Sequence, residues 1–109
     1  MIPNKIQKQI MVVLVKYKAL PGKSEEAIAG LTTLIEKVLE EPYFVSIRMH
    51  LDPKDPHNLF LYEEWKDAGY YNGDHRKTPH LMEFIRNSRE FLAGPPEITQ
   101  WETIKVFTA

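Results

Sequence analysis

The sequence predicts an α+β fold of the ferredoxin-like βαββαβ type, and three observations carry that expectation. Strand-like apolar runs or alternations fall at 10–18, 43–51, 59–65 and 97–107. Two intervening stretches, Ser24 to Leu39 and Pro79 to Leu92, repeat apolar residues at three- and four-residue steps, the spacing of one helical face. The resulting order is strand, helix, strand, strand, helix, strand, which places both helices on one face of an antiparallel sheet.

Ile10 to Val15 is a continuous apolar run, followed by the alternation Lys16-Tyr17-Lys18. Such a run reads as a strand covered on both faces. Leu20-Pro21-Gly22-Lys23 is a turn, and Ser24 is the expected N-cap of the first helix, with Glu25 and Glu26 complementing its dipole. The buried stripe of that helix is Ile28, Leu31, Leu34, Ile35, Val38 and Leu39, and Pro42 stops it. The alternation from Tyr43 to Leu51 puts Tyr43, Val45, Ile47, Met49 and Leu51 on one face and Phe44, Ser46, Arg48 and His50 on the other.

Two prolines and two aspartates in Asp52 to Asn58 mark a hairpin turn. The next strand, Leu59 to Trp65, carries Leu59, Leu61, Glu63 and Trp65 on one face, so an acid shares the tryptophan's face. Thr78-Pro79 opens the second helix, with the threonine hydroxyl available as a cap and proline at the first helical position. Its stripe is Leu81, Phe84, Ile85, Ser88, Phe91 and Leu92, closed by Gly94 and Pro95-Pro96. Glu97 to Phe107 is the last strand.

With 109 residues the chain makes a single domain, 1–109, with a core at 10–107 and an N-terminal extension at 1–9. A monomer of this size buries only about two thirds of its unfolded surface. The net charge is −1 with acids and bases interspersed, so neither a nucleic-acid stripe nor a membrane-surface helix is expected. The absence of cysteine removes disulfides, thiolate metal sites and a cysteine nucleophile. No cleavage pattern follows the N-terminal lysines, which leads to the expectation of a cytoplasmic protein. The first strand cannot bury both faces under one helical layer, so a homodimer packed through the open sheet faces is expected.

Glu63-Glu64-Trp65 through His75-Arg76-Lys77-Thr78-Pro79-His80 holds most of the ambivalent chemistry. His80 falls in the first helical turn, where the helix dipole disfavours imidazolium. A zinc pair is not expected. His75 and His80 are five apart, roughly 140° around a continuous helix, and Pro79 interrupts that continuity. The bland reading makes Trp65 a core residue and both histidines surface residues near a cap.

These residues resemble the antibiotic biosynthesis monooxygenase domain family, small proteins that form dimeric α/β barrels from ferredoxin-like protomers. Tyr62-Glu63-Glu64-Trp65-Lys66-Asp67 matches its E-x-W strand end, and His75 to His80 matches its H-x-x-[ST]-P-H segment. Phe91-Leu92-Ala93-Gly94-Pro95-Pro96 supports both. The resemblance is to quinol monooxygenases and implies oxidation of a small aromatic quinol, phenol or polyketide by molecular oxygen, with no cofactor and no metal. It implies His80 or His75 as base and Trp65 as aromatic wall. Arg48, His50, Leu61, Glu63, Tyr70 and Tyr71 are then substrate-binding candidates. Heme-degrading relatives carry asparagine, tryptophan and histidine where this chain has Val15, His75 and Ile85, which argues against heme degradation. Leu61 stands where polyketide-oxidising relatives have an asparagine. A binding or structural dimer without chemistry, and an isomerase of a small phosphorylated metabolite, are the alternatives.

Overall fold

The computed structural model describes residues 10–109; the expected N-terminal extension lies outside the described residues. Four strands, β1 (Met11–Lys18), β2 (Phe44–Leu51), β3 (Asn58–Trp65) and β4 (Glu97–Glu102), form one antiparallel sheet in the order β2-β3-β1-β4. Three helices, α1 (Ser24–Val38), α2 (Ala68–Asn72) and α3 (Pro79–Asn87), complete the ferredoxin-like topology. Because β2 and β4 are edges, the sheet of one chain stays open.

The register decides what the helices cover. Met11, Val13, Val15 and Tyr17 of β1 pair with Trp65, Glu63, Leu61 and Leu59 of β3, and all of these but the buried Glu63 share the hydrophobic core with Ala27, Leu31, Leu34 and Val38 of α1. The opposite face presents Val12, Leu14 and Lys16 opposite Glu64, Tyr62 and Phe60, then Ser46, Arg48 and His50 of β2. No helix of the described residues is long and apolar enough to cross a membrane.

A bulge corrects the alternation expected for β2. Register slips between Phe44 and Ser46, so Phe44 pairs with Trp65 while Ile47 pairs with Glu63. One inserted residue, Val45, turns outward, and Phe44 joins Ile47 and Met49 against the core instead of sharing a face with Arg48. Tyr43, expected on the Ile47 face, instead sits just before the strand at φ 66, a left-handed conformation that costs a non-glycine residue about 1 kcal/mol. Its ring packs on Tyr70 at 5.4 Å.

Both expected caps are occupied differently. Ser24 is already helical, and its hydroxyl donates to the Pro56 carbonyl at 2.8 Å, pinning α1 to the hairpin. Thr78 flanks α3 as expected with Pro79 inside it, but its hydroxyl donates back to the His75 carbonyl. Leu39 lies past the end of α1 and is exposed, so the stripe ends at Val38. Gly30 lets α1 close onto Phe91, whose ring atom would stand 2.6 Å from an added Cβ. β4 stops at Glu102 rather than Phe107, and Ile104, Val106 and Phe107 are exposed beyond it. The connection after β3 contains α2 and a 3-10 turn, Asp74–Lys77.

Candidate active site

The site grows from three short segments that converge beneath the helix-covered face. Glu41 sits in the turn closing α1, where its N–H donates to the Val38 carbonyl. Asp67 caps α2 by accepting from the Tyr70 N–H at 3.0 Å, which fixes Tyr70 and Tyr71 on the following turn. The 3-10 turn and Pro79 then deliver His75 and His80.

Glu41 gathers them. One oxygen meets His75 Nδ1 at 2.8 Å and the Tyr70 hydroxyl at 2.8 Å, and the other meets His80 Nε2 at 2.5 Å. The Glu41 side chain is only 5% exposed, against 7% for His75 and 21% for His80. Burial acts to raise the Glu41 carboxyl, but hydrogen bonds from His80, His75 and Tyr70 outweigh it and hold the group below its ordinary value. A carboxylate has only acceptors to offer, so both imidazoles face it with N–H groups. His75, when neutral, therefore carries its lone pair on Nε2, away from Glu41. Burial, then the hydrogen bond to Glu41, pushes the Tyr70 hydroxyl up to about 12.

Aromatic rings hold His75 in place. It stacks on Tyr71 with centroids 4.8 Å apart and planes 19° from parallel, and its other neighbour is Trp65, also at 4.8 Å. Trp65 is fully buried, and its indole N–H donates to Glu63 at 2.9 Å. Glu63 is 7% exposed. Its burial outweighs the Trp65 hydrogen bond and, together with the Glu41 charge, pushes the carboxyl up to about 7.

His75, Tyr71 and Glu63 open onto a cavity of about 970 Å³ between the sheet and α1 and α3. Most of its wall is apolar, including Val15, Leu34, Ile47, Leu61 and Phe84. Tyr17 also lines it, its hydroxyl raised by burial and then by the Glu63 charge, and Tyr71 is raised by the same causes. An apolar-walled chamber with an imidazole on one wall, and beside it a carboxyl pushed up to about 7, can take a proton from a weak acid and hold it.

The nine candidates therefore divide. His75, Glu63, Leu61 and Tyr71 line the cavity, Trp65 supports His75 and Glu63 from behind, and Tyr70 and His80 turn to Glu41 instead of the cavity. Arg48 and His50 do not join them. They pair with Tyr62 and Phe60 on the opposite sheet face, where His50 packs on Phe60 at 5.5 Å. Glu41 and Tyr17 were not legible as site residues, since an acid before a proline at a helix end looks solvated. Among the described residues no group of three or more histidines, cysteines and carboxylates is arranged to hold a metal ion.

The model of the family described as antibiotic biosynthesis monooxygenase matches residues 10–87, from the start of β1 through the end of α3. The chain belongs to this family. The chain is also 33% identical over 88 residues to the uncharacterized protein sll1783 of Synechocystis, a match covering 81% of this chain and 59% of that protein's length. Among solved structures, a conserved protein of Methanosarcina mazei is 26% identical with a TM-score of 0.77, covering 86% of this chain and 92% of its own. PA3566 of Pseudomonas aeruginosa is 23% identical with a TM-score of 0.79, covering 89% and 96%; at that identity the likeness concerns the fold.

Proposed function

We propose that this member of the antibiotic biosynthesis monooxygenase family is a cofactor-free monooxygenase acting on a small aromatic quinol, phenol or polyketide. One observation carries the reading: His75, braced by Glu41 and two aromatic rings, faces an apolar cavity of substrate size. Nε2 of His75 removes a proton from the phenol or activated methylene, and the resulting carbanion or phenolate gives its electrons to O₂. One oxygen atom ends in the product as a new carbonyl, as when a CH₂ becomes C=O, and the other leaves as water. Glu63 returns the second proton. His80 serves as a donor that keeps Glu41 in place rather than as the base.

Oxygen uptake by purified protein against hydroquinones, catechols and anthrones tests this. His75→Gln is expected to lower kcat by at least about 100-fold, whereas His80→Ala leaves measurable turnover. Undiminished uptake by folded His75→Gln sinks the base assignment. No uptake across the panel moves the cavity to ligand binding.

The reading includes a second copy of the chain. The open sheet face carries the half-buried Leu14, Phe60 and Tyr62, and Trp101, opposite Val12, is 58% exposed. Two such faces packed together remove that apolar surface from water and form the dimeric barrel. Sedimentation is expected to give twice the 12.7 kDa chain mass. A monomer at every concentration tested would refute the pairing.

A further inference from the structure

The cavity has a second chemical pole that the proposed chemistry leaves unused. Its lining contains three arginines, Arg76, Arg86 and Arg89, and a single acid, Glu63. Arg76 lies beside the reacting end, where its charge acts on Tyr71. Arg86 lies at the far end of α3 and Arg89 in the 3-10 turn beyond it, so Arg86 is about 10 Å further along the helix axis than Pro79. Among the described residues none of the three guanidiniums has a carboxylate within ion-pair distance. Glu63, drawing a proton at neutral pH, does not balance them.

Much of the remaining wall is apolar, with Leu34, Leu61, Leu81 and Phe84. This combination selects by charge as well as by shape. A guanidinium presents a planar fork of donors that suits carboxylate, sulfonate or phosphate oxygens, and an apolar channel leading to it favours a flat hydrocarbon body.

We infer that the cavity binds an amphipathic organic anion, an aromatic body whose acidic group is held by Arg86 and Arg89 while its other end lies against His75 and Tyr71. The inference rests on the oxygenase reading only in naming which end reacts. The anion pole stands or falls on binding alone, so a protein without oxygenase activity still tests it. An active oxygenase indifferent to substrate charge would refute the pole and leave the oxygenase reading intact.

Two fluorescent probes that differ by one sulfonate make the test: 8-anilinonaphthalene-1-sulfonate and the uncharged N-phenyl-1-naphthylamine. The sulfonate is expected to bind at least about tenfold more tightly, with the preference shrinking as salt rises. Arg86→Gln with Arg89→Gln, two exposed positions, should bring the probes to parity by weakening only the anion. Ile47→Trp, which projects into the cavity, should weaken both. Equal affinities in the wild type, a preference that survives the double variant, or sulfonate binding unaffected by Ile47→Trp would each overturn the inference.

Discussion

Glu41→Gln is expected to cost about 3 kcal/mol of stability at pH 7, the scale of removing one charge from a buried, hydrogen-bonded group. The Glu41 side chain accepts three hydrogen bonds while only 5% exposed. An amide offers one acceptor oxygen and turns its NH₂ against donors already pointing inward. Urea unfolding monitored by circular dichroism measures the loss. A cost under about 1 kcal/mol would make the cluster behave like an exposed pair.

The pH dependence has a definite sign. The Glu41 carboxyl is lower in the folded chain than its ordinary value of 4.5, so the folded state binds that proton less readily than the unfolded state. The contribution is complete above the unfolded value and disappears as pH falls through the folded one. Glu41→Gln removes that acid limb. In activity it should also lower kcat far more than KM, because a misaligned His75 still leaves the apolar walls to bind substrate.

Glu63→Gln is expected to do the reverse at high pH. The folded carboxyl titrates at about 7, against 4.5 for the ordinary group, a difference worth about 3 kcal/mol. The folded state holds this proton more tightly, so its contribution is complete below 4.5 and is lost as pH rises through about 7. Glutamine keeps an oxygen for the Trp65 indole without acquiring charge. The variant should match the wild type near pH 4.5 and exceed it by about 3 kcal/mol at pH 8.5. Thermal melts across that range decide, and parallel curves for the two proteins would mean Glu63 ionises without penalty. If Glu63 handles the second proton, the variant also loses the limb near neutrality in its kcat profile.

The fold was legible where local pattern and tertiary packing agree. The alternation Leu59, Leu61, Glu63, Trp65 is the buried face of β3 in the structure, and the apolar steps from Ile28 to Val38 mark the sheet-facing side of α1. Reading failed where a single residue shifts the phase: the bulge at Val45 reverses Phe44, and no property of Val45 itself announces an insertion. At the site, Trp65, Glu63 and the two histidines were visible because an unusual residue cluster marks them. Glu41 was not, because its partners lie 34 and 39 residues away and no local spacing connects them. Arg48 and His50 lie apart from the chamber. The sequence assigned them correctly to the face opposite Ile47, but the chamber lies under the helices rather than on that open face.

The distance along the chain between Glu41 and its histidines also sets when the cluster can form. The first half of the chain, through β2, holds the carboxylate and lacks both imidazoles; the segment from α2 to α3 holds the imidazoles without the group that aligns them. Lifting α3 from the sheet takes His80 from Glu41, whereas His75 sits in the preceding 3-10 turn against Trp65 and Tyr71. Alignment of His75 and His80 by Glu41 therefore depends on closure of the segment after β3 over the end of α1, and molecules in which that segment is open lack these contacts.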